Sequence, residues 1–121
     1  MIESIFTNPS KAPLPYSTGS NTINTAEANA IIATAITYIQ DKDLTAEKFA
    51  SFCTYLVRLD KNSTKPGGNA GSIADMGFKM IQALKPELNA SSGYGKDSET
   101  NNKYKKGFQI YTDYYIQDID V

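Results

Sequence analysis

Residues 24–60 read NTAEANAIIATAITYIQDKDLTAEKFASFCTYLVRLD, and this stretch decides the fold. Asn24-Thr25-Ala26-Glu27 is a capping-box pattern: a short polar side chain can accept a backbone N–H, with a carboxylate three residues on. The alanine-rich run from Ala26 to about Gln40 follows, with Ile32, Ile36 and Ile39 on an i, i+4, i+7 stripe. Asp41-Lys42-Asp43 ends it. Leu44-Thr45-Ala46-Glu47 starts a second helix at once, with Leu44 placed to staple onto Phe49. Phe49, Phe52, Cys53, Leu56 and Leu59 then recur near helical spacing up to Asp60. The short connection predicts an antiparallel helical hairpin over roughly 25–59. Thr25-Ala26-Glu27 and Thr45-Ala46-Glu47 match at an offset of 20, but these are common helix-opening residues, and coincidence is the simpler explanation.

Working outward, Lys61 to Gly71 is a polar, Gly-rich connector. Ser72-Ile73-Ala74-Asp75 is another capping box, predicting a third helix over roughly 72–84 with Ile73, Met76, Met80, Ile81 and Leu84 on its apolar face. Lys85 suits the negative end of that helix and Pro86 discourages its continuation. Gly77, in mid-helix, marks a close crossing. Residues 89–103 are loop-like. At the other end Pro9, Pro13 and Pro15 fall within seven positions, remove amide donors and bias their neighbours to extended backbone, so residues 1–24 are expected to form an extended arm.

The last stretch pulls two ways. Tyr104, Phe108, Tyr111 and Tyr115 obey helical spacing, whereas Phe108, Ile110, Thr112, Tyr114 and Ile116 alternate in a β-prone composition. Asp113, Asp118 and Asp120 would also sit at the wrong end of a helix dipole. Composition and charge favour a strand, with a helix as the alternative. The expected fold class is therefore mainly α: a small helical bundle, made of the antiparallel hairpin plus a third helix, with the arm and a Tyr-rich C-terminal strand or helix. Its core is expected to hold Ile32, Ile36, Phe49, Phe52, Leu56, Ile73, Met76 and Met80. In domain terms the chain divides into arm (1–24), helical core (25–88) and a loop with the aromatic C-terminal segment (89–121).

Composition excludes whole classes of chemistry. The 121 residues include no histidine, no tryptophan and one cysteine. No Ser-His-Asp or Cys-His nucleophile and no imidazole metal ligand can form. The net charge of −1 exerts no strong pull on nucleic acid or acidic membranes. Residues 61–106 carry eight basic and four acidic side chains, and residues 107–121 three acids and no base. Such zoning suits contacts between protein subunits better than polyanion binding. No segment has the apolar length of a membrane span or the pattern of a signal peptide, and a lone Cys53 fits a reducing cytoplasm.

Few motifs suggest chemistry. Gly68, Gly71 and Ser72 lie in a Gly-rich run before a helix start, where free amides can hold a phosphate. The lysine of a phosphate loop is missing, however, and the preceding segment is helical rather than a strand. Asp41, Asp43, Glu47 and Asp60 flank the two ends of the hairpin, lack the order of a calcium loop and read as helix-end charges, so no metal site or cofactor is expected. Cys53, among apolar neighbours, reads as an inert core thiol. Lys103-Tyr104-Lys105-Lys106-Gly107-Phe108 interleaves bases with aromatics, faintly as single-strand binders do. The tyrosines stand out: eight of 13 aromatics are Tyr. Tyr16, Tyr104, Phe108, Tyr111, Tyr114, Tyr115 and Ile116 are accordingly the candidate interface residues.

These features predict no catalytic residue. They predict a non-catalytic structural or adaptor subunit of a larger assembly, of which a virion or similar particle is one setting, joined to neighbours by its arm and by strand addition of its tail. The alternative is a small regulatory or inhibitory protein-binding module, with phosphate or nucleotide binding at 67–72 behind it.

Overall fold

The computed structural model describes residues 2–16, 22–40, 44–63, 72–84 and 104–120, apart from the side chains of 84, 112 and 115–120. Among them are five helices: α1 (Ser4–Thr7), α2 (Thr25–Gln40), α3 (Ala46–Lys61), α4 (Ile73–Leu84) and α5 (Lys105–Asp120). The fold is mainly α, a small helical bundle.

Local chemistry places the helix starts. The Asn24 side chain accepts the Glu27 N–H at 2.8 Å, and the Asn24 N–H donates to Glu27 Oε1 at 3.3 Å, closing the capping box. Thr45 caps α3 by accepting the Lys48 N–H at 3.1 Å, and Ser72 caps α4 by accepting the Asp75 N–H at 3.0 Å. Asn24 is thus the cap of α2 while Thr25 lies inside it, so Thr25 and Thr45 occupy different helical positions despite their matching sequence.

The helices assemble around α3. Its neighbours are α5, α4 and α1, while α2 lies closest to α4. The two helices of the predicted hairpin therefore form, but their closest packing is with other elements. Gly77 explains the geometry of α4: a Cβ there would overlap the Leu56 side chain of α3 and lie 3.3 Å from Ile32 Cδ1 of α2. The missing side chain lets α4 settle against both helices at once, as the mid-helix glycine predicts.

That crossing also sets the rotation of α4, which differs from expectation. Ile73, Ala74, Phe78 and Ile81 are buried, whereas Met80 is 37% exposed and Met76 only partly covered. The apolar residues of α4 span a broad arc opposite Asp75 and Lys79, so periodicity does not say which part of that arc is covered. The side of α4 that can approach α3 most closely is the one bearing Gly77, and Phe78 and Ile81 turn inward with it. Ile36 packs against the core from its edge.

The larger correction is at the C-terminus. Residues 105–120 form α5, not a strand, and α5 packs on α3 of the same chain. Tyr104, Phe108, Tyr111 and Tyr114 form one buried stripe. Gly107 sits where a Cβ would overlap the Phe49 ring. β-propensity measures how well a side chain fits a half-buried pleated surface, and here the aromatic stripe finds its complement between two helices instead.

Residues 2–16 are laid along α3. Their first turn is helical, which the sequence did not suggest, and the rest carries no regular structure. Ile5 and Ala12 are fully buried, and the Phe6 ring lies 5.5 Å from Tyr38 and 6.3 Å from Phe52. Ile23, at the entry to α2, donates its N–H to Asn62 O at 2.9 Å beside the end of α3.

Candidate functional site

The tyrosines are the first group to place. Phe49 of α3 is ringed by Tyr104 (5.4 Å, edge-on), Phe108 (5.2 Å, edge-on) and Phe78 (6.2 Å), and Phe78 stacks on Tyr111 at 4.2 Å. Edge-to-face and offset contacts of this kind are the favourable ones for aromatic quadrupoles. Each tyrosine of the cluster also delivers its hydroxyl to a polar group. Tyr104 donates to Leu44 O (3.1 Å), just ahead of α3, and Tyr111 to Asp75 Oδ1 (3.1 Å) in the first turn of α4. Tyr114 donates to Asp60 Oδ2. A phenylalanine would fill the same volume but leave these acceptors dry. The hydroxyls pin α5 to the starts of α3 and α4 and to the end of α3.

Four of the expected interface residues, Tyr104, Phe108, Tyr111 and Tyr114, therefore lie inside the chain's own core. The side chains of Tyr115 and Ile116 lie outside the described residues. Tyr16 stands at the surface, 42% exposed, with its hydroxyl 3.5 Å from Asn62 Oδ1. In the basic-aromatic run, Tyr104 and Phe108 turn inward while Lys105 and Lys106 face solvent. No ring of that pair is presented to a base, so the run does not form a stacking platform.

Asp60 is the group that sequence reasoning undervalued. It is fully buried, yet its carboxylate accepts the Ile73 N–H (2.9 Å), the Ala74 N–H (3.4 Å) and the Tyr114 hydroxyl. A buried carboxylate is tolerated only when its oxygens are satisfied, and these donors satisfy them. Lys61 adds a cation 5.6 Å above the Tyr114 ring. The positive end of α4 thus holds an internal anion. Ser72 has its hydroxyl on the Asp75 N–H, so the amides that an outside phosphate would use are taken by Asp60 and Ser72. Gly68 and Gly71 lie outside the described residues.

Two further titratable groups, Asp75 and Cys53, are engaged within the fold. Asp75 is bonded by Tyr111 and paired with Lys79 at 3.0 Å. Cys53 is fully buried, and burial pushes its thiol well above the ordinary range. Asp41 and Asp43 lie outside the described residues and Glu47 is exposed. No group of three or more potential metal ligands occurs among the described residues. Nor is any helix among them long and apolar enough to cross a membrane.

Among the described residues, two surfaces stand out as places to engage a partner. One is the arm, held by α3. Arg58 Nη1 donates to Pro9 O (2.6 Å) and Ala12 O (2.8 Å), and the Tyr55 hydroxyl donates to Pro13 O (2.6 Å). The Arg58 guanidinium lies 5.8 Å from the Tyr55 ring centre, which aligns the two donors. The other surface is the outer side of α2. Ala26, Ala30, Ala33, Thr34, Thr37 and Gln40 are exposed, and no charged residue occurs from Ala28 to Gln40. Thr34 donates its hydroxyl back to Ala30 O (2.9 Å). Ile2 and Tyr38 border a shallow groove on this side with Ala33, Thr34 and Thr37. The signal for this face was in the sequence, as thirteen uncharged residues in a row, but an alanine-rich helix invites the assumption of burial.

Compared with known proteins, the chain matches no family model, no curated protein and no solved structure.

Proposed function

We propose that the chain is a non-catalytic structural or adaptor subunit of a multi-subunit protein assembly, meeting its neighbours through the uncharged face of α2 and through its N-terminal arm. The observation that carries this reading is the contrast between α2 and its neighbours. Exposed charges stud the other long helices: Glu47 and Lys61 on α3, Lys79 on α4, and Lys105, Lys106 and Asp113 on α5. The outer face of α2 has none beyond Ala28. A solvent-facing helix stripe ordinarily carries charge, and depletion of charge is what marks the centre of a protein interface. Small Ala and Thr side chains let a second backbone approach closely. The aromatic tail plays a different part here from the one its composition suggests: it locks the subunit internally and leaves contact to α2 and the arm. A buried, protonated thiol and a near-neutral chain suit work in a reducing cytoplasm.

Size-exclusion chromatography with light scattering across a concentration series tests the reading. The wild type is expected to associate, and Ala33→Arg to shift it to monomer with unchanged ellipticity, since Ala33 is exposed and its replacement costs the fold little. A wild type that stays monomeric at its highest soluble concentration overturns the proposal.

A further inference from the structure

The arm is bound in a way that makes it exchangeable. Its three hydrogen bonds to Arg58 and Tyr55 are all accepted by backbone carbonyls, at Pro9, Ala12 and Pro13. Its one fully buried side chain in this stretch is the methyl of Ala12. Ile2, Ile5, Pro13, Leu14 and Pro15 of the arm close an apolar pocket of about 200 Å³ against Ile31 and Tyr55. The donors belong to a rigid helix, and the acceptors to a segment that turns at residues 9–11, where the Lys11 N–H donates to Asn8 O at 3.0 Å, and then runs on without regular structure. Side-chain donors on a helix thus read the carbonyls of a segment whose prolines leave it few donors of its own.

The arm can also leave without undoing α2. Asn24 and Glu27 cap that helix, and Ile23 is tied separately to Asn62. None of these contacts uses residues 2–16. A departed arm would expose Phe52, Tyr55 and the Ala12 site to water, so the vacancy favours refilling by an arm of the same sequence.

We infer that the Arg58–Tyr55 face of α3 is a receptor for a proline-bearing segment, supplied in the assembly by the arm of a second copy of this chain. The inference rests on the assembly reading and names the contact through which the arm would act. The same donors and the same Ile31 and Tyr55 surface serve an arm in cis or in trans. Within an assembly, high local concentration lets neighbouring arms compete with the chain's own.

The test uses the full chain with Ala12→Asp, which puts a charge into a fully buried site and ejects the resident arm, and a fluorescein-labelled peptide of residues 2–16 as probe. The Ala12→Asp chain is expected to bind the peptide saturably. Wild type, with its site filled, should bind about tenfold or more weakly, and so should the double variant Ala12→Asp/Arg58→Ala, which lacks the charge-assisted donor. A folded Ala12→Asp chain that ignores the peptide, or one whose binding survives Arg58→Ala, overturns the receptor. Should Ala12→Asp fail to fold, the same question is put to a mixture of a Ser10→Cys chain and a Thr54→Cys chain, since both positions border one groove and Cys53 is buried. A disulfide joining the unlike chains supports exchange, and its absence under oxidising conditions refutes it. Association of the wild type without peptide capture or cross-link removes this inference and leaves the assembly reading. Capture by a wild type that never associates removes the assembly reading.

Discussion

Replacing Asp60 by alanine tests whether one buried carboxylate ties three helices together. Three donors converge on it, from Ile73, Ala74 and Tyr114, and none can reach water because Asp60 is fully buried. Loss of a helix cap costs about 1 kcal/mol, and each buried donor left without an acceptor adds roughly 1–3 kcal/mol. These terms overlap, so about 3–5 kcal/mol is expected, the range for breaking a buried charged contact. Against a total stability of about 5–15 kcal/mol, that brings the chain close to unfolding. Tyr114→Phe removes one donor and leaves the carboxylate its two amides, for about 1.5–3 kcal/mol. In the Asp60→Ala background the phenol has lost its acceptor, and Tyr114→Phe should then be close to neutral. Urea titration followed by far-UV ellipticity reads all four proteins. With slopes of about 1–3 kcal/mol per molar, Asp60→Ala should lower the midpoint by at least about 1 M. The reasoning fails if Asp60→Ala costs less than about 1 kcal/mol, or if Tyr114→Phe costs the same in both backgrounds, because then the two side chains are not coupled.

Three further outcomes follow from the packing and the titrating groups. Gly77→Ala and Gly107→Ala both gain up to about 1 kcal/mol of helix propensity, yet both should destabilise. Gly107→Ala should do so more, because it meets a Phe49 ring wedged by Phe78, Tyr104 and Phe108 rather than the tip of a leucine; equal melting temperatures for the two variants would contradict this. Burial raises the Cys53 thiol above its ordinary 9.0, and burial, partly offset by Arg58, raises the Tyr55 phenol above 10.0. In both cases the unfolded chain ionises first, so stability is complete below these values and falls as pH climbs past them, by about 1.4 kcal/mol per pH unit for the fully buried thiol. Melting curves above about pH 9 should therefore slope less steeply in Cys53→Ala, and an unchanged slope would argue against a protonated native thiol.

Helix starts were legible in the sequence because capping is local: Asn24, Thr45 and Ser72 each bond an amide within three residues, and no distant contact is needed. The close crossing at Gly77 was legible for the same reason, since a mid-helix glycine asks for a cause. The rotation of α4 was not, because an apolar run with several possible faces takes its phase from whichever neighbour it meets, and Leu56 and Ile32 lie far away in sequence. Asp60 looked like an ordinary helix-end charge, and the distance to Ile73 in sequence hid its role as the cap of another helix.

The tail shows where sequence stops. Its aromatic and β-branched residues satisfy two periodicities at once, and composition and charge within residues 104–121 favour the one that does not form. The choice is made by Phe49 and Phe78, which form an aromatic slot that a helical stripe of Tyr104, Phe108 and Tyr111 fills, and by Leu44, Asp75 and Asp60, whose oxygens await the tyrosine hydroxyls. By itself the sequence determined what the chain cannot do with imidazole, where α2, α3 and α4 begin, and that its aromatic chemistry is phenolic. Only the tertiary structure decided that the phenols point inward, because a hydroxyl's partner is fixed by position in space and not by place in the chain.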